Sequence, residues 1–240
     1  MRTAIITGAS SGIGAAIARA MLADGYRVVS MALQRPDWTH GALHAVEVDL
    51  ADPEATAAVA AEVAVRFAIS HVVHCAGAIR PAPLAKVAPA DFRLLTDLHL
   101  TAPTLLLQAA LPAMRAAKFG RVVLISSRAA LGMQSRSAYA ATKSGMIALA
   151  RTWALELAGD GITVNAIAPG PIRGTRLFHD VVAEGTEAEA RLAQSVPVGH
   201  LGTPEDVARA AMFFAADDAG FVTGQTLFVC GGASVGSWGL

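Results

Sequence analysis

The sequence predicts an α/β protein: a single-domain, Rossmann-type, doubly wound parallel sheet of about seven strands with helices on both faces. Three observations carry that expectation. Seven short Val/Ile-rich runs recur along the 240 residues, longer Ala/Leu-rich segments of helical period separate them, and a glycine-rich turn follows the first run. Strands covered on both faces need nearly continuous apolar runs. A composition of 54% apolar and 16% charged residues supplies them and excludes a disordered chain.

The elements follow in order. Strands are expected at 3–7, 27–31, 44–48, 71–75, 121–126, 163–167 and 226–229. The first helix opens after Gly12 and ends at Ala23, where Asp24 and Gly25 form a stop signal. Asp52 and Pro53 read as N-cap and first-turn proline of a second helix reaching Phe67. Helices at 105–117 and 139–157 are expected to end at Gly120 and Gly159, and Thr203-Pro204-Glu205 opens the last one. Residues 171–202 break the rhythm with mixed charge and weak pattern, as a substrate lid inserted in the 1–240 domain would.

Composition narrows the partners. Nineteen Lys+Arg against nineteen Asp+Glu leave no net charge to favour nucleic acid or an anionic membrane, so a small molecule is expected. Charged residues, glycine and proline interrupt the apolar stretches, and the first run is too short for a signal segment. Cys75 and Cys230 each follow an apolar run, which suits buried thiols in the cytoplasm rather than a disulfide or metal site. No metal is expected.

The turn Thr7-Gly8-Ala9-Ser10-Ser11-Gly12-Ile13-Gly14 fits a dinucleotide cradle. Gly8 allows the tight turn, Gly12 lets backbone approach a pyrophosphate, and Gly14 permits close helix packing. Gly8 to Gly12 also matches the G-x-S-x-G nucleophile elbow, but no earlier strand exists to supply a second oxyanion donor. A ligand-free glycine turn is the plainer alternative. Further on, one of only two tyrosines and one of only three lysines stand at i, i+4 in Tyr139-Ala140-Ala141-Thr142-Lys143. They share a helix face, where a nearby cation favours the phenolate. Alone, the pair would read as a surface feature. It follows Ile125-Ser126-Ser127, at a strand end of the kind where open parallel sheets bind ligands.

The ordered set resembles a short-chain dehydrogenase/reductase over essentially the whole chain. Its marks are Thr7 to Gly14, Asp49-Leu50, Ala76-Gly77, Ser127 with Tyr139 and Lys143, Asn165 with Pro169-Gly170, and Thr223-Gly224-Gln225 with Gly231-Gly232. The resemblance implies Tyr139 as general acid/base, Lys143 holding the nicotinamide ribose and lowering the tyrosine pKa, and Ser127 (or Ser126) orienting a carbonyl. It implies cofactor contacts from Gly8, Ser10, Ser11, Gly12, Ile13, Gly14, Asp49, Leu50, Ala76, Gly77, Pro169, Gly170, Ile172 and Thr175. Ala32 ends the second strand where an acid would meet a 2′-hydroxyl, and Arg35 follows as a candidate partner for a 2′-phosphate. NADP(H) is therefore expected ahead of NAD(H).

Several positions depart from the family pattern. His99 stands where asparagine is usual and is read as a catalytic water holder, as a group titrating near neutrality, or as a buried histidine bonded to backbone. His74-Cys75 replaces Asn-Asn before Ala76-Gly77, Cys230 replaces an aspartate, and Thr175 lies one residue beyond its usual place. The expected activity is hydride transfer between a nicotinamide and a ketone, aldehyde or secondary alcohol, with a 3-oxoacyl-thioester reductase as the alternative. A non-catalytic NADP-binding regulatory protein is the alternative of another class. Arg128, Arg173 and Arg176 are the basic residues expected at the mouth. The resemblance also implies a homotetramer or homodimer built on the 105–117 and 139–157 helices.

Overall fold

The computed structural model describes residues 1–235. Its seven strands are β1 (Thr3–Thr7), β2 (Arg27–Ala32), β3 (Leu43–Glu47), β4 (His71–His74), β5 (Gly120–Ile125), β6 (Ile162–Pro169) and β7 (Thr226–Val229). They form one sheet in the order β3-β2-β1-β4-β5-β6-β7, every pair parallel. The chain reverses direction across the sheet between β1 and β4, and the carboxyl ends of these neighbouring strands diverge into a crevice. The glycine turn leaves β1 there, and Ala76-Gly77 leaves β4.

Two apolar layers cover the sheet. Helices α1 (Gly12–Ala23) and α8 (Pro204–Ala215) pack with Ile6, Val28, Val73, Val123 and Ile167 on one face. Helices α2 (Pro53–Arg66), α4 (Ala102–Ala117) and α5 (Ser137–Leu157) pack with Ile5, Val29, Val72, Val122 and Val164 on the other. Alternate residues of each strand thus enter opposite cores, which is why the strands read as unbroken apolar runs. Asp52 caps α2 by accepting from Glu54 and Ala55, and Thr203 and Asp206 form a capping box on α8.

Helices α4 and α5 begin two to three residues earlier than expected, and the glycines expected to stop them do not. Helix α4 ends at Ala117 as expected, but its C-cap is the left-handed Lys118, with φ of 49°, while Gly120 is the first residue of β5. A Cβ on Gly120 would lie 2.7 Å from Met114 Sδ, so that glycine serves strand packing rather than helix termination. Helix α5 ends at Leu157 as expected, but a 3-10 turn, Ala158–Asp160, carries the chain past Gly159 to its cap Gly161, with φ of 74° and room for no Cβ against the Lys118 carbonyl.

The sequence reading also missed α3 (Pro89–Thr96), which joins α4 through one π-helical turn, Asp97–Thr101. The continuous run Pro89–Ala117 is long and apolar enough to cross a membrane by length and composition, although its prolines and charges had been expected to interrupt it. Its buried residues Leu106, Ala110 and Met114 belong to the core, which accounts for that apolarity. Residues 171–202 carry two further helices, α6 (Arg176–His179) and α7 (Glu187–Ser195).

Candidate active site

The glycine turn is shaped by close contact. Gly8 and Gly12 have φ of 67° and 53°, and a Cβ on Gly14 would stand 2.3 Å from the Gly8 carbonyl oxygen. No side chain caps α1, and its N-cap Ser11 makes no side-chain cap bond, so the first-turn N–H groups keep their hydrogen-bonding capacity. A Cβ on Gly8 would meet Ala76 Cα at 3.0 Å, and one on Gly12 would meet Thr175 Cγ2 at 3.2 Å. The turn therefore touches the β4 loop on one side and the start of the 171–202 segment on the other. Thr175 caps α6 and donates to the Ile172 carbonyl at 3.1 Å. Ile172 is buried and bridges to Gly202, so it is fixed beside Pro169 and Gly170. Asp49 accepts from Ala51 N–H at 2.9 Å next to the buried Leu50. Glycines pressed against backbone, an uncapped helix start and backbone from four loops fit a dinucleotide.

The histidine departures close a hydrogen-bond network under the crevice. Thr7 Oγ1 accepts from the N–H groups of Cys75 and Ala76, both at 2.9 Å, and lies 3.0 Å from His74 Nδ1. The other ring nitrogen, Nε2, lies 3.0 Å from the Leu98 carbonyl, so Nε2 donates and Nδ1 accepts from Thr7. His99 has the opposite tautomer. Its Nε2 accepts from Ala78 N–H at 3.3 Å, and Nδ1 donates to Thr142 Oγ1 at 2.9 Å, which in turn donates to the Ala138 carbonyl at 3.0 Å. Burial, with the Lys143 charge second, pushes His74 down to about 3 and His99 far below its ordinary range. Near neutrality both are neutral imidazoles, so the reading of His99 as a group titrating there is corrected. Both His99 ring nitrogens have protein partners.

Ser126 and Ser127 part company. Ser126 is buried and donates to the Lys143 carbonyl at 2.7 Å, whereas Ser127 faces the Tyr139 phenol closely enough to favour the phenolate. Tyr139 is buried on α5 with the His99 ring edge-on at 5.7 Å. Lys143 Nζ donates to the Ile125 carbonyl at 2.8 Å and lies 5.7 Å from the Tyr139 ring centroid. Burial draws Lys143 down to about 8. Tyr139 itself is pushed up by burial, against which Ser127 and the charge of Arg136 act. The lowering assigned to Lys143 by sequence thus comes in this geometry from Ser127 and from Arg136, a residue that sequence reasoning overlooked. Its position three residues before Tyr139 was the available signal.

The adenosine end holds a second overlooked residue. Ala32 and Glu47 are register partners on β2 and β3, and Glu47 Oε2 pairs with Arg35 Nε at 3.4 Å on the surface. The acid absent from β2 is thus present on its neighbour. Asn165 is structural: its side chain donates to the Val222 carbonyl at 2.8 Å and accepts from Gln225 N–H at 3.0 Å. Cys230 packs on Gly170, where a Cβ would come within 2.8 Å of its Cα.

Comparison with known proteins agrees with this arrangement. Residues 8–234 match the family model described as Enoyl-(Acyl carrier protein) reductase. The (2S)-[(R)-hydroxy(phenyl)methyl]succinyl-CoA dehydrogenase subunit BbsC of Thauera aromatica is 39% identical, over 97% of this chain and 94% of its own. The cis-4-hydroxycyclohexanecarboxylate dehydrogenase of Sinomonas cyclohexanicum is 38% identical, over 96% of each chain. A solved structure described as a candidate NAD(P)-dependent gluconate 5-dehydrogenase from Beutenbergia cavernae, with NADP at low occupancy, superposes with a TM-score of 0.88 at 35% identity, covering 98% of this chain and 97% of that one. The chain belongs to the short-chain dehydrogenase/reductase family. It is an oxidoreductase of the CH–OH/C=O couple that works with a nicotinamide cofactor.

Proposed function

We propose that the protein interconverts a ketone and a secondary alcohol on a hydroxy acid or its thioester, with NADP(H) ahead of NAD(H). The observation that carries the reading is the facing of Ser127 and Tyr139 at the carboxyl end of β5, one helical turn from Lys143. A bound nicotinamide supplies or accepts the hydride. Ser127 donates a hydrogen bond to the substrate carbonyl oxygen. Tyr139 delivers its phenolic proton to that oxygen in reduction and withdraws it in oxidation. Ser127 and Arg136 favour the phenolate left behind, and Lys143, buried and still cationic near neutrality one helical turn away, would hold the nicotinamide ribose. The phenol's raised pKa keeps it protonated, which suits the donor role that reduction requires. His99 holds α5 against the β4 loop through Thr142 and Ala78, which makes it a positioning residue in this scheme.

Gly8, Ser10, Ser11, Gly12, Ile13 and Gly14 would hold the pyrophosphate, Asp49, Leu50, Ala76 and Gly77 the adenosine, and Pro169, Gly170, Ile172 and Thr175 the nicotinamide side. Arg35 supports the 2′-phosphate reading, and its pairing with Glu47 weakens the preference by sharing the charge. The named substrates of two relatives, a hydroxyacyl-CoA and a hydroxycyclohexanecarboxylate, support a hydroxy acid or acyl thioester. The 171–202 segment acts as the lid. Free Cys75 and Cys230 suit a reducing cytoplasm, and the exposed Leu155 on α5 suits a homo-oligomeric contact. A panel of ketones, oxo acids and 3-oxoacyl thioesters with NADPH and NADH tests the reading. Turnover that disappears in Tyr139→Phe while NADPH binding persists is expected. A variant indifferent in both respects would leave only a cofactor-binding protein.

A further inference from the structure

A cavity of about 210 Å³ opens at Arg128, the residue after Ser127, walled also by Pro171, Leu192, Ser195, Val196, Pro197 and Ala233. Its far wall is fixed. A Cβ on Gly231 would lie 2.6 Å from Val196 Cγ1, one on Gly232 would lie 3.0 Å from Pro197 Cβ, and Val198 N–H donates to the Gly231 carbonyl at 3.2 Å. The side chains from α7 are apolar except Ser195, whose hydroxyl donates to the Leu192 carbonyl at 2.7 Å. Arg128 is therefore the sole charged group lining this space among the described residues.

That guanidinium is underused. Its one side-chain hydrogen bond among the described residues runs from Nη1 to the Ala233 carbonyl at 3.5 Å, the limit of such a contact. No carboxylate among those residues lies within ion-pair distance of it. A half-buried arginine with four free N–H donors, lining a cavity whose other side chains are aliphatic apart from Ser195, matches the two oxygens of a carboxylate. Arg136, the other cation near Tyr139, does not line this space.

We propose that Arg128 makes the site selective for substrates that carry a carboxylate on an apolar body, the carboxylate paired with Arg128 and the body held by Pro171, Leu192, Val196 and Pro197. This rests on the oxidoreductase reading, since Arg128 directly follows Ser127 and the reacting carbon is then the one presented to Tyr139. It also commits to a carboxylate near the reacting carbon rather than to the phosphates of a thioester carrier, which lie at the far end of a long handle.

The test compares 4-oxocyclohexanecarboxylate with its carboxamide, a neutral molecule of the same shape. Calorimetry on the protein with NADP+ measures binding, and NADPH oxidation measures kcat and KM, for wild type, Arg128→Gln and Arg128→Lys. The acid is expected to bind the wild type about tenfold to a hundredfold more tightly than the amide. Arg128→Gln should erase that advantage through KM without weakening the amide or NADPH binding, and Arg128→Lys should restore part of it. Equal binding of acid and amide to the wild type, no binding of the acid, or an equal loss of both in Arg128→Gln would overturn the proposal. Selective acid binding without reduction of either ketone would sustain Arg128 and overturn the reductase reading; equal reduction of both would do the reverse.

Discussion

The two ends of the parallel sheet use buried polar groups in opposite ways. At the amino end, Arg121 donates to the carbonyls of Ala216, Gly120, Gly161 and Asp217 at 2.8 to 3.4 Å and lies over the Phe119 ring. His71 beside it uses both ring nitrogens, on Ser70 Oγ at 2.9 Å and on the Ala215 carbonyl at 3.1 Å, with Tyr26 edge-on to its ring. Together these groups close the C-terminus of α8. At the carboxyl end, Ser127, Tyr139, Lys143 and Arg128 keep hydrogen-bonding capacity that the protein does not use up. Buried charge with every partner in place builds the fold, and buried charge with capacity left over is available to a ligand.

The largest effects should separate the two ends cleanly. Lys143→Met is expected to lower kcat by about a hundredfold or more, because the group that would hold the nicotinamide ribose beside Tyr139 is lost, while the melting temperature stays within a few degrees. Arg121→Met should do the opposite, leaving several carbonyls unpaired at a cost of about 3 kcal/mol while kcat of the folded fraction is unchanged. Thermal melts and steady-state rates on both variants measure this. Loss of activity without loss of stability in Arg121→Met would break the comparison.

Acid should act first on structure. His71 is buried and drawn down to about 4 from its ordinary value of 6.5, so folding favours the neutral ring. Its contribution is complete above 6.5 and is lost as pH falls toward 4, amounting to about 3 kcal/mol at most. Denaturant midpoints of the wild type should decline over that window, and His71→Gln, though less stable at pH 7, should show a flatter profile.

The smallest effect belongs to the surface. Glu47→Gln releases Arg35 from its exposed ion pair and should raise kcat/KM for NADPH over NADH by about two- to fivefold. Arg35→Ala should remove that gain. Unaltered ratios in both variants would exclude the pair from cofactor choice.

Much of this was legible from the chain because the deciding features are local. Strand runs, the glycine turn and the i, i+4 spacing of Tyr139 and Lys143 each lie within a short window, and strand ends alone mark the crevice. What escaped depends on neighbours distant in sequence. Glu47 meets Ala32 only through strand register, and His74 acquires its role from Thr7 on β1 and Leu98 on the π turn. The α3 helix was missed because Pro89 opens a segment whose sole buried residue is Leu95, which leaves little apolar pattern to read. Burial overrode intrinsic chemistry at His99, where a side chain that titrates near neutrality in water is held neutral.

The central claim is that Tyr139 and its neighbours direct hydride transfer to a carbonyl carbon. NADPH and NADH deuterated at the nicotinamide C4, given with the preferred ketone or oxo acid, test it directly by mass spectrometry of the alcohol. The account predicts one deuterium on the carbinol carbon with the wild type and none with Tyr139→Phe over the same time, although that variant binds NADPH equally well. Binding of cofactor with no label in any product, or labelling as fast in Tyr139→Phe as in the wild type, would contradict it.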